Sequence, residues 1–121
     1  MQNLNEEIEK SKRIAIFSHV APDADALCSC FALKNLIRNN FDAKIVDVFN
    51  DGPIGELYNQ ILRDEVINPQ PQKAYDLAFV LDCPNLDRIG KCKEIASTAK
   101  NIINIDHHET NSKFGTTNIV S

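Results

Sequence analysis

No run of this 121-residue chain approaches the roughly 20 consecutive apolar residues that a membrane-spanning helix requires. An excess of basic charge is missing too. Lys and Arg number 13 against 17 Asp and Glu, giving a formal net charge of −4, the wrong sign for a general nucleic-acid coat. The N-terminus, M-Q-N-L-N-E-E-I-E-K, is acidic and amphipathic, unlike a signal peptide, so a cytoplasmic protein is expected. The four cysteines, at 28, 30, 83 and 92, lack zinc-type spacing and are expected to stay reduced as small structural hydrophobes. No internal repeat, low-complexity tract or linker divides the chain. With 43% hydrophobic residues it can bury one core and is expected to be one domain.

What is present alternates in kind. Residues 3–12 read as a short helix with Leu4 and Ile8 on one face. Ile14 to Phe17 is a compact apolar strand, and a helical stretch follows from about Ala24 to Asn39. "AKIVDVF" is a second strand, closed by the turn signal "NDGPIG", with a shorter helix expected at about 54–63. "YDLAFVL" is a third strand, "KCKEIASTAK" a modest helix, "NIINI" a fourth strand, and "TTNIVS" is strand-like. Short apolar strands separated by helices predict an α/β fold. A mostly parallel sheet with helices on both faces makes three layers, α/β/α.

In such a sheet the functional crevice lies outside the carboxyl ends of the strands. The first strand ends in Ser18-His19, with Asp23 and Asp25 close behind; the third ends in Leu81-Asp82; the fourth ends in Ile105-Asp106-His107-His108. Each group alone has an ordinary reading. His19 could be a loop histidine, Asp25 an N-cap, Asp82 the start of a turn. Together, three strands deliver carboxylates and imidazoles to one edge. Gathered acids repel unless cations neutralise them. Carboxylate with imidazole and no thiolate suits manganese, magnesium, iron or zinc. Asp82, at the tip of a central strand, is placed to bridge two ions, which could activate water against a phosphoester. The amide groups opening the helix near Ala24–Asp25 favour an anion at the same edge.

Three ordered motifs, "SHVAPDADALCS", "VLDCPNLDRIG" and "DHHETN", followed by "FGTTNIV", resemble the DHH phosphoesterase superfamily over roughly residues 14 to 120. The nearest branch resembles the oligoribonucleases that also dephosphorylate 3′-phosphoadenosine 5′-phosphate (pAp). The resemblance implies a RecJ-like N-terminal DHH domain with two divalent ions, manganese first and magnesium or others as alternatives. It implies that His19 and Asp23 hold one ion, Asp25 and His107 the other, with Asp82 bridging. It further implies that His108 faces the substrate phosphate and that Asp106 orients a histidine. Arg88 and Asn111 match motif positions and are candidate substrate contacts, although Arg88 pairing with a local acid is an equal alternative. The implied substrates are short RNA or DNA oligomers, or nucleotides such as pAp.

Ala24 and Cys28 stand where the family often has glycine, which predicts altered packing near the metal loop. Family members usually continue well past this length, with a further metal carboxylate and then a second, substrate-binding domain. Residues 1–121 are therefore expected to be the N-terminal domain, incomplete at its C-terminal end, with hydrolysis by the short chain itself in doubt. Two rivals remain: a receiver-type signalling domain and a catalytically silent metal-binding module. The sequence leaves oligomeric state open, a homo-oligomer included.

Overall fold

Five short strands build one sheet around β1 and β3, whose side chains are buried on both faces at once. A computed structural model describes residues 3–56 and 64–121. The elements are α1 (Leu4–Lys10), β1 (Arg13–Phe17), α2 (Ala24–Asn40), β2 (Ile45–Phe49) and β3 (Leu77–Leu81). A 3₁₀ run (Leu86–Cys92), α3 (Lys93–Ala96), β4 (Asn101–Asp106) and β5 (Thr117–Val120) follow. The strands lie in the order β2-β1-β3-β4-β5, and every pairing is parallel. The expected α/β class is what the chain adopts.

Alternation along the strands sorts the core into two layers. Ile14, Ile16, Leu77, Phe79, Leu81 and Ile103 face α1 and α2, where Ile8, Cys30, Phe31 and Ile37 complete the layer. Ala15, Phe17, Ala78 and Val80 face the other way, onto Ile89, Cys92 and Ala96 of the 3₁₀ run and α3. Each large apolar side chain buried this way contributes about 1.5–3 kcal/mol of transfer free energy. β5 forms one rim of the sheet, with Ile119 and Val120 exposed.

Two expectations change in detail. The helix expected over residues 91–100 is a 3₁₀ run and then a single α-turn, Lys93–Ala96. Gly90, at φ 64° and ψ −134°, kinks the 3₁₀ run that leads into this stretch, and the hydroxyls of Ser97 and Thr98 donate back to the carbonyls of Lys93 and Ile95, which ends α3. The N-cap of α2 is Asp23, whose carboxylate accepts from the Ala26 amide at 2.8 Å; Asp25 stands in the first turn. Most of the helix expected at 54–63 falls outside the described residues. No helix among the described residues is long and apolar enough to cross a membrane.

From β1 the chain reaches β2 on one side and then β3 on the other. The strand order reverses between β1 and β3, so a crevice opens at their carboxyl ends.

Candidate metal centre

Each donor reaches that crevice for a local reason. β1 stops at Phe17, and the Ser18-His19 turn is fastened from the neighbouring strand. The amide nitrogen of Asn50, buried at the end of β2, donates to Ser18 Oγ at 2.8 Å and to the His19 carbonyl at 2.9 Å. The Val20 amide donates to the Arg88 carbonyl at 2.8 Å. His19 Nδ1 lies 2.8 Å from the Val20 carbonyl, which can only accept, so Nδ1 carries the proton. Its Nε2 then faces Asp82 Oδ2 at 3.5 Å.

Asp82 follows the last residue of β3 with φ 58°, in the left-handed region that aspartate tolerates better than most residues. The turn lifts its carboxylate off the strand axis. His107 Nε2 meets Asp82 Oδ1 at 2.8 Å, and His108 Nδ1 lies 4.0 Å from the same oxygen. The chain has three histidines, and all three stand within 4.0 Å of this one carboxylate. The His107 and His108 rings are stacked, with centroids 4.6 Å apart.

Asp106 is buried at the end of β4. Its Oδ1 accepts from His108 Nδ1 at 2.5 Å and its Oδ2 from the Asn111 amide at 2.8 Å. Burial alone would raise its pKa. The hydrogen bonds from Asn111, His108 and the His107 amide outweigh that and hold it below the usual carboxylate value.

Ligating atoms of Asp82, Asp106, His107 and His108 lie within 4.8 Å of one another. Asp23, Asp25, Asp82, Asp106 and His107 share the wall of one cleft of about 510 Å³, with Ala26 and Ser29 of α2. Of the residues predicted as metal ligands, His19 and His107 each reach Asp82, although His19 stands outside the tight group of four, and Asp23 and Asp25 line the same hollow as Asp82 and His107 from α2. Asp23 spends one oxygen on its helix cap. Arg88 is exposed on the 3₁₀ run, and what it gives the site is its backbone carbonyl, on Val20. Asn111 turns its amide inward to Asp106 and Asn104.

The donor chemistry fits divalent cations. The lone pair of His19 Nε2 looks at a carboxylate oxygen across 3.5 Å; two acceptors facing each other need a proton or a cation between them. No thiol competes. Burial first, and then the charges of Asp82 and Asp106, push the Cys83 thiol up to about 12, so it stays protonated and is no ligand. Sequence reasoning overlooked Asn50 and Asn104. Their signal was a lone amide within or closing an apolar strand.

The chain matches the DHH family, N-terminal domain, over residues 13–121. It belongs to that family. A probable bifunctional oligoribonuclease and PAP phosphatase of Streptococcus mutans is 33% identical over 104 residues, covering 84% of this chain and 31% of the relative. A bifunctional oligoribonuclease and PAP phosphatase of Mycoplasma pneumoniae is 29% identical over 117 residues, 91% of this chain and 35% of the relative. The crystal structure of an exopolyphosphatase-related protein from Bacteroides fragilis superposes with a TM-score of 0.79 at 25% identity. That match covers 96% of this chain and 36% of the other. The DHH chain described here thus spans about a third of the length of these relatives.

Proposed function

We propose that this DHH domain is the metal-binding part of a hydrolase that cleaves phosphoester bonds of short oligonucleotides, or of nucleotides such as pAp. The observation that carries the reading is the gathering of every histidine of the chain around Asp82, at the tip of a central strand. His19 and Asp23 would hold one divalent ion, Asp25 and His107 a second, and Asp82 would bridge them, with manganese the first candidate. Such a pair supplies an activated water and charge neutralisation at a phosphoryl oxygen. The chain's own residues do the rest. Asp106 holds the Nδ1 proton of His108 and so leaves Nε2 as its free nitrogen, available to a phosphate or leaving-group oxygen. The amide groups that open α2, beside Asp25 and Ala26 on the cleft wall, favour an anion at this edge. Two relatives named as oligoribonuclease and PAP phosphatase support the substrate class.

The strand order is also that of receiver domains, which makes phosphorylation of Asp82 the second reading. Receiver chemistry with magnesium has no use for three imidazoles. Purified chain is expected to bind two manganese ions per molecule by calorimetry and to hydrolyse pAp or short oligoribonucleotides. Asp82→Asn is expected to abolish both. Phosphorylation of Asp82 by acetyl phosphate, without hydrolysis, would establish the receiver reading instead. Manganese uptake with no hydrolysis would mark this chain as a silent module.

A further inference from the structure

Asn104 has no exposed surface, and nothing in the hydrolytic reading calls on it. It lies within β4, in register with Val80 of β3. Its amide nitrogen donates to the Val80 carbonyl at 3.0 Å and the Cys83 carbonyl at 3.1 Å. Both partners can only accept, so the orientation of the amide is determined. Those two carbonyls lie on either side of Asp82, the residue with the left-handed backbone. One side chain therefore ties down both flanks of the turn that presents the central carboxylate.

The remaining oxygen points the other way. Asn104 Oδ1 accepts from the Asn111 amide at 2.7 Å, and the same amide donates to Asp106 Oδ2 at 2.8 Å. Asn111 Oδ1 takes the Lys113 backbone amide, so this group too has one permitted orientation. Asp106 Oδ1 is left to the Nδ1–H of His108. The polarity of the relay is fixed at both ends, by the two backbone carbonyls that orient Asn104 and by the Lys113 amide that orients Asn111.

We propose that Asn104 is a positioning residue that locks the Asp82 turn to the Asp106–His108 pair and fixes which nitrogen of His108 bears the proton. It touches no substrate and no metal donor directly. It acts through Cys83 and Val80 on one side and Asn111 on the other. The proposal rests on the hydrolytic reading for its kinetic consequence alone.

The test begins with nitrogen-15 spectra of the imidazoles in metal-free chain at neutral pH. Wild type is expected to hold His108 as the Nδ1–H tautomer. Asn104→Leu, similar in branching shape and without the three bonds, should give a mixture of tautomers. With manganese added, its kcat should fall about 10- to 100-fold while KM stays near wild type. Ile103→Val, the buried neighbour on the opposite face of β4, controls for loosened packing and should keep both the wild-type ring signature and kcat. Asn111→Ala breaks the relay from its partly exposed end and should reproduce the His108 change even if Asn104→Leu fails to fold. An unaltered His108 signature in either relay variant, or an Nε2–H tautomer in wild type, would overturn the proposal. A wild type that takes up no manganese and hydrolyses nothing would sink the hydrolytic reading while the spectra still decide the role of Asn104.

Discussion

Asp106 is the residue at which the gap between composition and role is widest. By type it is one more acid among candidate metal ligands, yet both its oxygens are spent on neighbours, His108 and Asn111. Asp106→Asn keeps the shape and removes one acceptor, so a donor of the variant must confront either an imidazole N–H or an amide N–H. Buried outer partners of a metal site typically change affinity or activity by about 10- to 100-fold. A loss in kcat/KM of that size, with an unchanged far-ultraviolet circular dichroism spectrum, is the expected result. A wild-type rate would refute the orienting role. Acids and imidazoles at strand ends were legible in the sequence because nothing in a sheet requires them there. The buried amides of Asn50 and Asn104 carried only a faint signal, a lone polar residue in or closing an apolar run. Asn50 and Asn104 become meaningful only once a turn from another strand brings carbonyl groups to them. Asp23 and Asp25 are chemically identical two positions apart, and only the backbone angles at the start of α2 distinguish the cap from the residue after it.

At the scale of elements, the segment after β3 shows where reading from residues stops. Strands announce themselves by short apolar runs, and all five were placed within two residues; burial on both faces leaves the central strands β1 and β3 little room for another pattern, while β5 at the rim is marked by sequence alone. "KCKEIASTAK" reads as one helix, and nothing along it announces the kink at Gly90 just before it. In the fold, Gly90 is where three loops meet: a Cβ there would come to 2.4 Å from Asp51 Oδ2 and 2.8 Å from Val20 Cγ1. The crossing is non-local, hence invisible along the chain. Gly90→Ala must strain both the positive φ and the contact. It is expected to destabilise the fold by about 1–3 kcal/mol, read from the urea midpoint. Because Val20 follows His19, the same variant should also weaken manganese binding. A neutral result in both would remove Gly90 from the account of the site.

Over the whole molecule, the end of the sheet opposite the candidate metal centre carries its own electrostatic clasp. Asp76, just before β3, accepts from the backbone amides of Lys12 and Arg13 at 2.9 Å each, joining the entries of β1 and β3. Those two bonds are the main reason its pKa is lowered, ahead of burial, which opposes them, and of Lys100 and Arg13. A carboxyl with a depressed native pKa adds stability that is fully present above its unfolded value of about 3.9. That stability is lost as pH falls through the lower native value. Asp76→Asn should therefore destabilise the chain near neutrality by about 1.5–3 kcal/mol and flatten the acid limb of a plot of stability against pH. Parallel curves for the two proteins would place the acid sensitivity elsewhere. At this scale the fold class and the edge of the sheet that gathers the acids and imidazoles were readable beforehand. They depend on hydrophobic period and strand count, which the sequence carries directly.

Three of the four thiols are buried and one, Cys28, is open to solvent. Burial pushes Cys30 and Cys83 up to about 12 and Cys92 to about 11, so alkylating reagents at neutral pH find no thiolate in the interior. Cys28 sits on α2 three residues beyond Asp25, less than one helical turn away. A maleimide dye or spin label thus has a single natural address, close enough to the cleft to sense paramagnetic manganese without any cysteine being engineered in or out.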